Sequence, residues 1–85
     1  MEKIGILGAG AMGSGIAQVA AAAGHEVIIF DANAVAMTRS ARNIQENLKK
    51  LVDKGKMTDS DSYALFSRIK YGDSTSALGH SDLVI

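Results

Sequence analysis

The 85 residues suffice for one small domain, and 47% hydrophobic with 21% charged residues is the composition of a globular chain, not a disordered one. Nine basic residues offset nine acidic ones, so no net field favours a nucleic-acid or an anionic-membrane partner. The lack of cysteine excludes disulfides and thiolate metal sites and fits a reducing, cytoplasmic setting.

From Ile4 to Gly24 no residue is charged and the stretch ends in four alanines and a glycine, the outline of a signal peptide or a weak membrane span. Its Gly and Ala content, Gln18 and the lack of a leucine-rich block argue for a soluble segment instead. Ile4 to Leu7 is a short apolar run stopped by Gly8, which predicts a buried parallel strand. Ala11 to Ala23 predicts a helix, with Met12, Ile16, Val19 and Ala23 recurring at helical spacing and Gly24 as its stop.

Glu26 to Phe30, rich in β-branched residues, predicts a second strand. Asn33 is placed to cap a long helix from about Ala34 to Lys54, ended by Gly55. Along it Met37, Ala41, Ile44, Leu48 and Leu51 form one apolar stripe. Thr58 followed by Asp61 opens a short helix running to about Arg68, which buries Leu65 and Phe66. Ile69 to Tyr71 and Leu83 to Ile85 read as third and fourth strands, with a loop or short helical turn between them.

Alternating strands and helices imply an α/β fold: a parallel sheet with flanking helices and right-handed crossovers. The fourth strand has no turn or cap after it, and doubly wound sheets continue past this point. The chain is therefore expected to be the front part of a longer protein.

Glycine is costly in regular structure, roughly 0.5–1 kcal/mol relative to alanine, yet five crowd the stretch Lys3 to Gln18. Gly8, Gly10 and Gly13 fit G-x-G-x-x-G between the first strand and the first helix. In that pattern the first glycine makes the tight turn, the second lets a pyrophosphate reach the backbone, and the third lets helix and strand pack closely. The amides of Ala11, Met12 and Gly13 then face the phosphates, backed by the helix dipole; Ala9 lies within the same turn. Gly5 and Gly15 fall outside the pattern and read as room for close packing.

Asp31 ends the second strand, where a carboxylate accepts hydrogen bonds from an adenosine ribose. It repels a 2′-phosphate, and Ala32, Asn33 and Ala34 offer no cation to neutralise one; Arg39 is expected in solvent. NAD is favoured over NADP, and over FAD, whose folds more often carry Glu here. Together these features specify a Rossmann-type domain, with this chain supplying the first four strands.

The segments "GAGAMGSGIAQVAAAAGHEVIIFD", "NLKKLVDKGKM" and "SDLVI" resemble the NAD-binding domain of the 3-hydroxyacyl-CoA dehydrogenases, bacterial 3-hydroxybutyryl-CoA dehydrogenases in particular. The resemblance spans essentially the whole chain. It implies oxidation of the 3-hydroxyl of an acyl-CoA with hydride passing to NAD, and a homodimer formed largely by a C-terminal helical domain that this chain lacks. It further implies that Gly8 to Gly13 hold the pyrophosphate, Asp31 the ribose, and Lys54 coenzyme A. Asn47 stands where some members have a CoA-contacting serine. Lys49, Lys50 and Lys56 surround the same helix end, where cations also complement the dipole.

The family's catalytic His and Glu are expected beyond Ile85. His25 and His80 have no carboxylate at a spacing that suggests a base pair, Ser14 reads as closing the first helical turn, and no metal-ligand cluster is visible. No catalytic residue is assigned within this chain. Two other readings use the same motif: a non-catalytic dinucleotide sensor, and an NAD(P)-dependent 3-hydroxyisobutyrate-type dehydrogenase. The lysine-rich end of the long helix argues against both.

Overall fold

The computed structural model describes residues 2–72, 81 and 83–85. Strand β1 (Lys3–Leu7) leads into helix α1 (Ala11–Ala22), then β2 (Glu26–Phe30), α2 (Ala34–Asp53), α3 (Asp59–Ser67), β3 (Ile69–Tyr71) and β4 (Leu83–Val84). The strands form one parallel sheet in the order β3-β2-β1-β4, so the chain steps outward twice and then returns to the other side of β1. That reversal is the switch point at which open α/β sheets bind ligands, outside the carboxyl ends of the strands.

Register explains the core. Ile4 pairs with Val27 and Ile6 with Ile29, while Val27 also pairs with Ile69, so these five side chains share one face of the sheet. All five are buried, together with Ala17 and Ala21 from α1, Ile44 and Leu48 from α2, and Leu65 from α3. Each large aliphatic side chain buried in this way stabilises the fold by about 1.5–3 kcal/mol.

The helix ends follow local chemistry. Asn33 Oδ1 accepts hydrogen bonds from the amides of Val35 (2.9 Å) and Ala36 (3.3 Å), and Thr58 Oγ1 accepts one from Asp61 (3.0 Å). Gly24 and Gly55 adopt positive φ beyond the ends of α1 and α2. The C-terminal end of α1 is held by a longer reach: the Arg68 guanidinium donates to the Ala21 carbonyl at 2.8 Å.

Two expectations require correction. The buried face of α1 is Ser14, Ala17 and Ala21; Met12 is 81% exposed and Val19 73%. Met12, Ile16, Val19 and Ala23 instead line an open apolar groove that also includes Ile85. Gly15 is exposed, and a Cβ there would meet nothing within 4 Å, so close packing does not account for it. Gly5, by contrast, is buried in the central strand between β2 and β4. His80 and most of the connection before β4 lie outside the described residues. Among the described residues no helix is long and apolar enough to cross a membrane.

Candidate cofactor-binding site

The turn from β1 into α1 is built by its glycines for different reasons. Gly8 takes φ 108°, a conformation that L side chains rarely adopt, while its amide donates to the Phe30 carbonyl at 2.7 Å and anchors the turn to β2. A Cβ on Gly13 would overlap the Gly8 carbonyl oxygen and lie 3.2 Å from Ile6 Cγ2. Gly10 differs from both. Its φ of −71° is open to any residue, and a Cβ there would meet nothing within 4 Å. Among the described residues, packing gives no reason for glycine at this position, and the space beside its backbone is open.

Gly10 is also the N-cap of α1, and among the described residues no side-chain hydrogen bond caps the helix and no acid sits in its first turn. The amide dipoles at this end therefore face outward uncompensated, an arrangement that attracts an anion. Asp31 stands beside the turn, at the end of β2. Its Oδ2 accepts the Ala9 amide at 2.8 Å and its Oδ1 accepts the Asn33 amide at 2.8 Å. These two backbone donors hold the carboxyl below the usual carboxylate range, slightly opposed by desolvation. The carboxylate is oriented and charged, with lone pairs left to accept sugar hydroxyls.

Three buried or half-buried hydroxyls lie behind the turn. Ser14 Oγ is 2.6 Å from Ser40 Oγ, which is 2.9 Å from Tyr71 OH, and Ser14 Oγ donates to the Ala9 carbonyl at 3.4 Å. Ser14 thus joins α1 to α2 in addition to closing its own turn. Sequence reasoning missed Ser40 and Tyr71. The available signal was the position of Ser40, three residues after Met37 and four before Ile44, on the apolar stripe of α2.

Asn47 and Lys54 are exposed, seven residues apart and so on one side of the long helix, about 10 Å from each other along its axis. Asn47 borders an open groove of about 300 Å³ between α1 and α2, with Gln18 and Asn43. Lys50 shares this side by helical spacing, whereas Lys49 borders the groove between α2 and α3. His25 is remote from the turn. Its Nδ1 accepts the Glu2 amide at 3.2 Å, at the opposite end of β2 from Asp31, about 20 Å away along the strand. Among the described residues no group of His, Cys, Asp and Glu side chains could hold a metal ion.

A side-chain-free turn at the sheet's switch point, an uncapped helix end and an oriented carboxylate define a dinucleotide-binding domain of the Rossmann type. Comparison with known proteins narrows this. Residues 3–85 match the sequence model of the family described as "3-hydroxyacyl-CoA dehydrogenase, NAD binding domain", and the chain belongs to that family.

The whole chain is 36% identical over 85 residues to the 3-hydroxyadipyl-CoA dehydrogenase of Escherichia coli, of which it covers 18%. Over 83 residues, 98% of the chain, it is 40% identical to a probable 3-hydroxybutyryl-CoA dehydrogenase of Deinococcus radiodurans, of which it covers 30%. The crystal structure of (S)-3-hydroxybutyryl-CoA dehydrogenase from Ralstonia eutropha superposes with a TM-score of 0.94 at 34% identity, over 99% of this chain and 30% of that one. The chain thus spans less than a third of the length of these relatives.

Proposed function

We propose that the protein carrying this chain oxidises the 3-hydroxyl of an acyl-CoA to a ketone, and the reverse, with NAD as hydride carrier. NAD supplies the hydride acceptor. The residues of this chain bind and orient it: the amides around Gly10 to Gly13 face its diphosphate and Asp31 accepts its adenosine ribose hydroxyls. The resemblance to the family implies that the hydroxyl proton passes to a base beyond Ile85; His25 lies at the other end of β2 and accepts the Glu2 amide. The side of α2 carrying Asn47, Lys50 and Lys54 receives the coenzyme A moiety, its ammonium groups meeting the phosphates.

The observation that carries the cofactor assignment is the Gly10–Asp31 pairing: an empty approach to backbone amides beside a carboxylate already fixed by the Ala9 amide. The acyl-CoA assignment is supported by family membership and by the names of the relatives. The same reading carries a homodimer formed outside this chain and a cytoplasmic location, consistent with the lack of cysteine.

The test uses the full-length protein. NADH should bind in preference to NADPH, and 3-hydroxybutyryl-CoA should be oxidised where free 3-hydroxy acids are not. Preference for NADPH would overturn the cofactor assignment. Turnover of free acids would favour a hydroxyisobutyrate-type enzyme, and binding without any turnover a sensor.

A further inference from the structure

The three hydroxyls behind the glycine turn can be ordered by direction. A carbonyl oxygen only accepts, so the proton of Ser14 points at Ala9 O. Ser14 Oγ, having used its one proton, accepts from Ser40 at 2.6 Å; Ser40 Oγ in turn accepts from Tyr71 at 2.9 Å. Ser40 is 1% exposed and Ser14 8%, so bulk water has little access to substitute for either partner. All protons run one way, from the end of β3 through α2 and α1 to the turn.

The end of this chain of hydroxyls falls on a particular peptide plane. The Ala9 carbonyl and the Gly10 amide belong to one trans peptide, in which C=O and N–H point in opposite directions. Holding the carbonyl inward toward Ser14 therefore turns the Gly10 N–H outward, to the side on which Gly10 is exposed. A glycine at that position leaves the plane free to flip, because either sign of φ is open to it. Flipped, the plane would present its oxygen to an incoming anion.

We propose that Tyr71, Ser40 and Ser14 are positioning residues for dinucleotide binding: their hydroxyl chain locks the Ala9–Gly10 peptide with its amide toward the diphosphate. The Ala9 amide bond to Asp31 secures the adjacent peptide plane, so both planes around the Ala9 Cα are fixed from outside the turn. The role rests on the reading that this turn binds the diphosphate of NAD. It gives Ser40 and Tyr71 an effect on a ligand that neither touches.

The test is a set of titrations of the full-length protein with NADH, ADP-ribose and adenosine. Ser40→Ala should weaken NADH and ADP-ribose about 5- to 10-fold, and Tyr71→Phe about 2- to 5-fold. Because the hydroxyls act in series, Tyr71→Phe should have no further effect in the Ser40→Ala background. Adenosine, which lacks the diphosphate, should bind all variants alike, whereas general loosening of the fold would weaken every ligand together.

Additive effects, or equal losses for adenosine and ADP-ribose, would overturn the proposal. So would wild-type NADH affinity in Tyr71→Phe, which keeps the ring in place and remains decisive if Ser40→Ala does not fold. Asp31→Ala separates the two levels. If it weakens NADH while the hydroxyl variants do not, the positioning role alone fails; if it too leaves NADH unaffected, the site reading fails and the positioning role falls with it.

Discussion

The carbonyl oxygen of Gly8 occupies the space that a side chain on Gly13 would need. Helix α1 therefore sits at Gly13 closer to its strand than any side chain there would permit. Gly13→Ala should destabilise the protein by about 1–3 kcal/mol, read from denaturant unfolding, because the obstructing atom is backbone. Gly10→Ala should cost at most about 1 kcal/mol, the difference between a glycine and an alanine N-cap. It should nevertheless weaken NADH more than about tenfold. An unchanged NADH titration for Gly10→Ala would mean that no ligand approaches there.

Asp31 is held as a carboxylate by the Ala9 and Asn33 amides, which lower its pKa on folding. A lowered folded value means that its contribution to stability is present above the ordinary value of 3.8 and is lost as pH falls through the folded one. Down to about pH 5 NADH affinity should therefore show no titration of this group. Asp31→Asn should abolish the response below that range and reduce preference for NADH over NADPH, both read by fluorescence titration.

Tyr71 behaves in the opposite sense. Burial raises its hydroxyl above the ordinary 10.0. Its native environment favours the protonated form, so stability is full below the unfolded value and declines as pH rises toward the folded one. Unfolding followed between about pH 9 and pH 12 should show wild type losing stability relative to Tyr71→Phe. Parallel curves would remove the burial argument.

Lys54 tests the coenzyme A assignment. Lys54→Ala should raise KM for the acyl-CoA about 3- to 10-fold with little change in NADH affinity, and added salt should diminish the difference. Lys49→Ala, a change on the other side of α2, serves as the control and should leave KM near its wild-type value. Equal effects from both lysines would indicate a general field and not a docking face.

Much of this site was legible because its chemistry requires fixed spacing. Gly8 and Gly13 stand where the turn and the helix–strand packing need them, and Asp31 follows the second strand. Asn33 and Thr58 announce their helices through side-chain oxygens, and both caps form as expected. Helix α1 misled for a physical reason. A helix this close to the sheet accommodates only small side chains beneath it, so Ser14, Ala17 and Ala21 face inward while Met12 and Val19 turn out. Periodicity weighted by hydrophobic size selects the opposite face. Ser40 and Tyr71 were hidden because their partnership spans 31 residues and depends on the order of strands.

The reach of Arg68 to the Ala21 carbonyl connects the far end of α1 to the residue just before β3. Two segments separated by 47 positions thus share one fastening, so neither frays without loosening the other. Amide hydrogen exchange would report the edge strand and the close of the first helix opening as a single cooperative unit, with Arg68→Ala accelerating both by a similar factor.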